Sequence, residues 1–180
     1  QAMLLQSTAT SITILGLTDA VSYFYNKAAT RKEKQRYLST IFALQYVMGS
    51  GCAVLLLVFQ IPLIRYFDNE SLRSVLLYVA WMPLVNNLLP MLQVLYVSIG
   101  RTKQIAVRNL LVSLIQLLAV WCACYVTGDI RIIFILLLIS GILQIVYFKR
   151  TFDRESVAIR LRYGDRKLLP EILKFSVPMA

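Results

Sequence analysis

Histidine is absent from this 180-residue chain, and acidic residues number only nine. Without histidine there is no Ser-His-Asp or Cys-His pair, and a zinc site would have to be built from cysteine and carboxylate alone. Three cysteines are too few for a disulfide scaffold. Seven glycines, with no clustered run, leave no Gly-rich phosphate loop and no collagen-like period. Charge is scarce as well: 16% of residues are charged, against about a quarter in an ordinary soluble domain. What fills the chain instead is apolar, at 58%. The apolar residues come in long blocks, which excludes disorder and points to an integral membrane protein.

The charges are clustered, and between the clusters lie uncharged stretches at 37–64, 74–100, 109–128 and 132–148. A bilayer core needs about 20 apolar residues per helix, so each stretch holds one span. A fifth candidate runs over 3–26, interrupted by Asp19. The reading is an all-α, polytopic transmembrane helix bundle. Its five spans fall over about 3–26, 38–64, 74–99, 105–127 and 131–148, making one unit over 1–148. A basic cytoplasmic linker follows over 149–174, and a further span starts at 175–180. No signal peptide is visible ahead of the first apolar segment. The new apolar run at the end, bent early by Pro178, leads us to expect an internal piece of a longer membrane protein.

Orientation follows from the bases. The loop from Lys27 to Arg36 has five bases and one acid, whereas that from Arg65 to Arg73 is neutral. Arg101, Lys103 and Arg108 make the next junction basic; Asp129 and Arg131 cancel at the one after. From Lys149 to Lys174 eight bases face four acids. Basic and neutral junctions alternate with each crossing, and the positive-inside rule puts the basic ones in the cytoplasm. The net charge of +10 is therefore topological, directed at anionic membrane lipids rather than at nucleic acid. Cys52, Cys122 and Cys124 all fall within expected spans and read as small apolar fillers.

No catalytic constellation is visible, no cofactor or metal set either, and the chain reads as a non-enzyme. The informative residues are the polar ones inside the spans, because unpaired polar groups normally avoid hydrocarbon and face a bundle interior or a cavity. The first span is the wettest. Ser7, Ser11, Thr18 and Ser22 lie on one helical face, with Asp19 beside them. Two readings stand here. Either the hydroxyls bond back to their own helix and Asp19 pairs with a base such as Lys27, or this face is a cavity wall with an ion- or substrate-sensing carboxylate. The third span carries Pro83 and Pro90, each of which removes a backbone hydrogen bond, with Asn86, Asn87 and Gln93 in the bent stretch. Broken, amide-bearing helices line water-filled paths in transporters and also occur as plain packing features. Gln45, Gln116 and Gln144 read as helix-to-helix glue. In the linker, VAIRLRY suits an extended or irregular stretch, and Asp165 is placed to cap a helix beginning at Arg166 with Pro170 in its first turn.

Three phrases carry a resemblance. GLTDAVSYFYNKA closes an outside-to-inside helix before a basic loop, LQVLYVSIGRTKQIAVRNLL turns from one helix straight into the next, and RKLLPEILKFSVPMA opens a new apolar run. In order and spacing they resemble bacterial polysaccharide biosynthesis proteins. These are the oligosaccharide repeat-unit flippases of the multidrug/oligosaccharidyl-lipid/polysaccharide exporter superfamily. The resemblance covers the chain as helices two to six and the start of seven of a two-lobed transporter in the cell (inner) membrane. It implies movement of a polyprenyl-diphosphate-linked oligosaccharide for O-antigen, lipopolysaccharide, capsule or exopolysaccharide synthesis, with sodium or protons as coupling ion. Many relatives carry an arginine where Ser22 and Tyr23 stand, so the diphosphate contact passes to Arg108, Lys103 or a residue outside this sequence. The substrate or ion pathway candidates are thus Asp19, Ser22, Asn86, Asn87, Gln93 and Arg108. The alternatives are a multidrug or other small-molecule exporter, or a peptidoglycan-lipid flippase, of the same superfamily. From another class come a membrane-embedded envelope polysaccharide polymerase or transferase and a purely structural membrane subunit.

Overall fold

The computed structural model describes residues 2–14, 16–68, 71–155 and 158–176. The described residues form nine α-helices and two short 3-10 turns, with no strand among them. Four helical segments are long and apolar enough to cross a bilayer: Arg31–Val58, Leu72–Ser98, Thr102–Val126 and Ile130–Asp153. The chain is an all-α membrane protein.

The expected first span is not one helix. It divides into α1 (Ala2–Ile14) and α2 (Leu17–Lys27) at Gly16, whose φ of 63° is left-handed. That conformation stops the helical hydrogen-bond ladder and is open to glycine at little steric cost. The face predicted to join Ser7 and Ser11 to Thr18 and Ser22 is therefore interrupted. The bases that follow are ordered by a capping box. The Glu33 amide donates to Thr30 Oγ1, and the Thr30 amide donates to Glu33 Oε2, both at 3.2 Å, which satisfies the first orphan donors of α3 (Arg31–Val58). The second expected span continues past a break at Phe59 as α4 (Gln60–Phe67), and the third divides into α5 (Ser71–Val79) and α6 (Met82–Ser98). Pro83 sits in the first turn of α6, where its missing N–H costs nothing, whereas Pro90 is inside the helix. Then come α7 (Thr102–Val126) and α8 (Ile130–Glu155). Asn69, in the neutral loop, and Pro178, expected to bend the next span, lie outside the described residues.

α6 is the pivot of the bundle, packing on α1, α2, α3, α7 and α8. At the basic end Phe24, Ile41, Leu95, Tyr96, Phe148 and Phe152 form the main core, where Tyr96 Oη donates to the Phe148 carbonyl at 3.2 Å. A smaller core of Val75, Val79, Met82 and Phe134 joins α5, α6 and α8 at the other end. α7 buries Ile105 alone. Its Leu110, Leu114, Leu117 and Trp121 are exposed, which in hydrocarbon is a lipid-facing surface. Cys122 and Cys124 are exposed there too, so they are not core fillers; α7 offers them no neighbour to pack against.

The basic linker is folded onto the bundle. α8 extends through Glu155, beyond the expected end of its span. After it, Gln35 Nε2 donates to the Ala158 carbonyl at 2.9 Å and the Asp165 amide donates to Thr40 Oγ1 at 2.9 Å, tying the segment to α3. An irregular stretch leads to a 3-10 turn at Leu161–Tyr163. Asp165 Oδ1 accepts from the Lys167 amide at 3.0 Å, capping a second turn, Arg166–Leu168, that runs into α9 (Leu169–Ser176) with Pro170 in its first turn. In inside-out vesicles trypsin should cut at exposed Arg160 or Arg162 well before Lys174, which is held within α9; equal rates at these sites would refute the docked arrangement.

Lys27 closes the same junction, but not with Asp19. Its Nζ lies 2.7 Å from Glu171 Oε1, and Tyr37 Oη donates to Glu171 Oε2 at 3.1 Å. The Lys27 hydrogen bond, with that from Tyr37, holds the Glu171 carboxyl below its ordinary range. A depressed carboxyl contributes stability above its unfolded pKa, and that contribution is lost as pH falls through the folded value. Both side chains are largely exposed, so the effect is small. Glu171→Gln should lower the thermal midpoint slightly at pH 7, and the difference from wild type should vanish under acid. A difference that persists at low pH would mean that the carboxylate is not its source.

Candidate functional site

In an otherwise apolar bundle, amide side chains converge between α1, α6, α7 and α8. On α6, Asn86 and Gln93 are seven residues apart and so lie on one face. Asn109, Ser113 and Gln116 follow steps of four and three along α7, while Gln144 comes from α8 and Gln6 from α1. Together they line a cavity of about 430 Å³. Gln93 Nε2 reaches Asn109 Oδ1 at 3.4 Å. Gln116 Nε2 donates to Ser140 Oγ at 2.7 Å, and Gln144 Nε2 meets the same hydroxyl at 3.4 Å. Gln6 Oε1 is buried and has no hydrogen-bond partner among the described residues. Each carboxamide offers two N–H donors and a carbonyl acceptor, and no charged side chain lines the space. Such a wall is suited to a neutral, hydroxyl-rich ligand that can both donate and accept.

The six candidates do not form one site. Asn86 and Gln93 open on the cavity. Asn87, one residue and so about 100° round α6 from Asn86, is buried away from the cavity, where its Nδ2 donates to Thr13 Oγ1 at 2.7 Å; it joins α6 to α1. Ser22 Oγ lies 3.3 Å from Ser98 Oγ, a contact between α2 and α6 away from the cavity. Asp19 is exposed on α2 and makes no hydrogen bond or ion pair among the described residues. The remaining hydroxyls of α1 mostly bond back to their own helix: Ser7 to the Leu4 carbonyl, Thr10 to Gln6 and Thr13 to Ala9. Arg108 borders the cavity's neighbour, a groove between α7 and α8, and with Lys103 also lines a pocket at the basic end. Its guanidinium carbon lies 3.7 Å from the Phe148 ring centroid and 4.3 Å from that of Tyr147.

Gln45 is not the helix-to-helix glue expected: it is fully buried in α3, yet neither its Oε1 nor its Nε2 has a partner among the described residues. Gln116 does join α7 to α8 through Ser140, whereas Gln144 reaches that hydroxyl from within α8; both line the cavity as well. Asn109 and Ser113 are not singled out by sequence reasoning. The signal that finds them is the run Asn109, Ser113, Gln116, a polar line along a helix that is apolar on every other face.

No family model, curated protein or solved structure matches the chain.

Proposed function

We propose that the chain is part of a flippase-type transporter of the cell (inner) membrane, moving a polyprenyl-diphosphate-linked oligosaccharide from the cytoplasmic to the outer leaflet for surface polysaccharide synthesis. The observation that carries the reading is the amide-lined cavity within the span-forming helices. Polar side chains at membrane depth are retained where they face a water-filled path, and carboxamides match sugar hydroxyls in both donor and acceptor capacity. Against the runner-up, a multidrug or other small-molecule exporter, the same wall favours an oligosaccharide over any cationic cargo, because no carboxylate lines it to receive a cation. Asp19, exposed on α2, is at the wrong place to do so and is proposed at most as a coupling-ion residue.

The test uses the full-length protein returned to its source cells after deletion of the gene, with surface polysaccharide as the readout. Gln93→Leu combined with Asn109→Leu removes two facing amides, each hydrogen bond being worth about 1 kcal/mol. Export should fall at least tenfold while the amount of protein in the membrane stays similar, and Leu117→Ala on the exposed face of α7 should leave export intact. Unchanged export in the double variant would refute the cavity as the path. Undiminished surface polysaccharide in cells lacking the protein would refute the substrate class.

A further inference from the structure

The outer side of the α7–α8 hairpin is a groove of about 790 Å³, apolar along most of its length. Its wall on α7 descends from Arg108 through Val112, Ile115 and Ala119, its wall on α8 from Arg150 to Leu136, and Gln116, Ser140 and Gln144 are the polar side chains part-way down. Both arginines are at the end where the basic junctions lie, and no acidic side chain lines the groove. From Arg150 to Leu136 the helix rises about 21 Å at 1.5 Å per residue. That is the depth of one leaflet with its interface, given a hydrocarbon core of about 30 Å.

Arg108 is the group that needs explaining. It sits two turns inside α7, its guanidinium against the Phe148 and Tyr147 rings, and its Nη1 is buried with no hydrogen-bond partner. Neither it nor Arg150 has a carboxylate partner among the described residues. A guanidinium within the hydrocarbon layer is costly unless it meets an anion or reaches the interface. The planar fork of arginine fits phosphate oxygens in a bidentate manner. The anions available at this depth and on this side of the membrane are the phosphates of the inner leaflet.

We infer that the α7–α8 groove holds an anionic glycerophospholipid of the cytoplasmic leaflet, its phosphate between Arg108 and Arg150 and one acyl chain along Val112, Ile115 and Ala119. The lipid completes the exposed face of the hairpin and neutralises the half-buried Arg108. The groove commits to a lipid rather than a bare anion because its apolar floor runs far below the two charges. The groove shares Gln116 and Gln144 with the amide cavity, but the lipid's phosphate site, at Arg108 and Arg150, is not part of that cavity's wall.

Native mass spectrometry of the full-length protein tests this, with phosphatidylglycerol and phosphatidylethanolamine of identical acyl chains added at equal concentration. Wild type should retain phosphatidylglycerol at least tenfold over phosphatidylethanolamine, and Arg108→Gln with Arg150→Gln should abolish the preference. Ala119→Phe, which fills the groove without touching either charge, should reduce retention of phosphatidylglycerol at least threefold. Should the double arginine variant not fold, Arg150→Gln alone, at an exposed position, should lower the preference at least threefold. Equal retention of the two lipids by wild type would overturn the proposal, as would unchanged retention in Ala119→Phe and Arg150→Gln. Displacement of the lipid by millimolar inorganic phosphate would show a bare anion site, and a co-purified polyprenyl diphosphate in the groove would show the transported lipid; either result also overturns it.

Discussion

Gly49→Leu should lower the stability of the bundle by about 3 kcal/mol, at the upper end of what overpacking usually costs. A Cβ at Gly49 would stand 2.6 Å from Leu84 Cδ1 and 3.0 Å from Leu84 Cα. The side-chain atom could swing aside, but the Cα cannot, so α3 and α6 would have to separate. Close backbone approach at small residues is a main source of helix association in membranes, where lipid is as apolar as the side chains it replaces. Gly141 on α8 does the same for the next residue of α6: a Cβ there would collide with Val85 Cγ1. Leu84 and Val85 are thus pinched between two glycines on two different helices. Gly51 supplies the comparison. It is two residues from Gly49 on the same helix, yet a Cβ there meets nothing within 4 Å. Gly51→Ala should therefore be neutral or stabilise by up to about 1 kcal/mol through helix propensity. Thermal unfolding of the full-length protein in detergent separates the two signs. Equal midpoints for Gly49→Leu and Gly51→Leu would refute the close approach.

That contrast shows where the sequence falls silent. Within MGSGCA the two glycines are indistinguishable, and only the register of α3 against α6 tells the crowded one from the open one. The helices themselves are legible, because charge clusters bound every apolar block and a block of that length has few other folds in lipid. The break at Gly16 is not legible, since one glycine inside an apolar run is also tolerated in a continuous helix; its left-handed φ is decided by the packing of α2 on α6 and α3. Asp19 misleads for a different reason. A lone acid in a wet segment suggests a pathway, but the rotation of α2 leaves it exposed, while Lys27 reaches Glu171 on an element 144 residues away. The cavity is half legible: Asn86 and Gln93 stand out beside prolines, whereas Asn109, Ser113 and Gln116 form only a thin polar line in a long apolar stretch and Gln144 is a single amide in another. α7 shows why. A helix that meets lipid on one side and protein on the other carries no amphipathic stripe, so periodicity does not say which residues face inward.

Phe24→Ala should have an effect as large as that at Gly49, and by the opposite route, a void instead of a clash. Phe24 is 1% exposed at the junction of α2, α3 and α9. Its ring stacks on Tyr37 with centroids 4.8 Å apart and meets Phe175 edge-on at 5.6 Å. Truncating a buried phenylalanine costs about 3–5 kcal/mol, from lost burial and from the cavity that remains. Here the loss weakens one joint, because Phe175 of α9 packs on Phe24 as well as stacking on Tyr23 with centroids 4.3 Å apart, whereas the exposed Lys27–Glu171 pair contributes little. The expected result is thus a lower thermal midpoint together with a changed cleavage order. In Phe24→Ala, trypsin should reach Lys174 about as fast as Arg160, whereas in Glu171→Gln the order seen in wild type should persist. The aromatic contact, not the ion pair, then fixes the linker to the bundle. A Phe24→Ala protein that melts like wild type and still protects Lys174 would reverse that ranking, leaving polar links such as the hydrogen bonds from Gln35 to the Ala158 carbonyl and from the Asp165 amide to Thr40 to hold the segment in place.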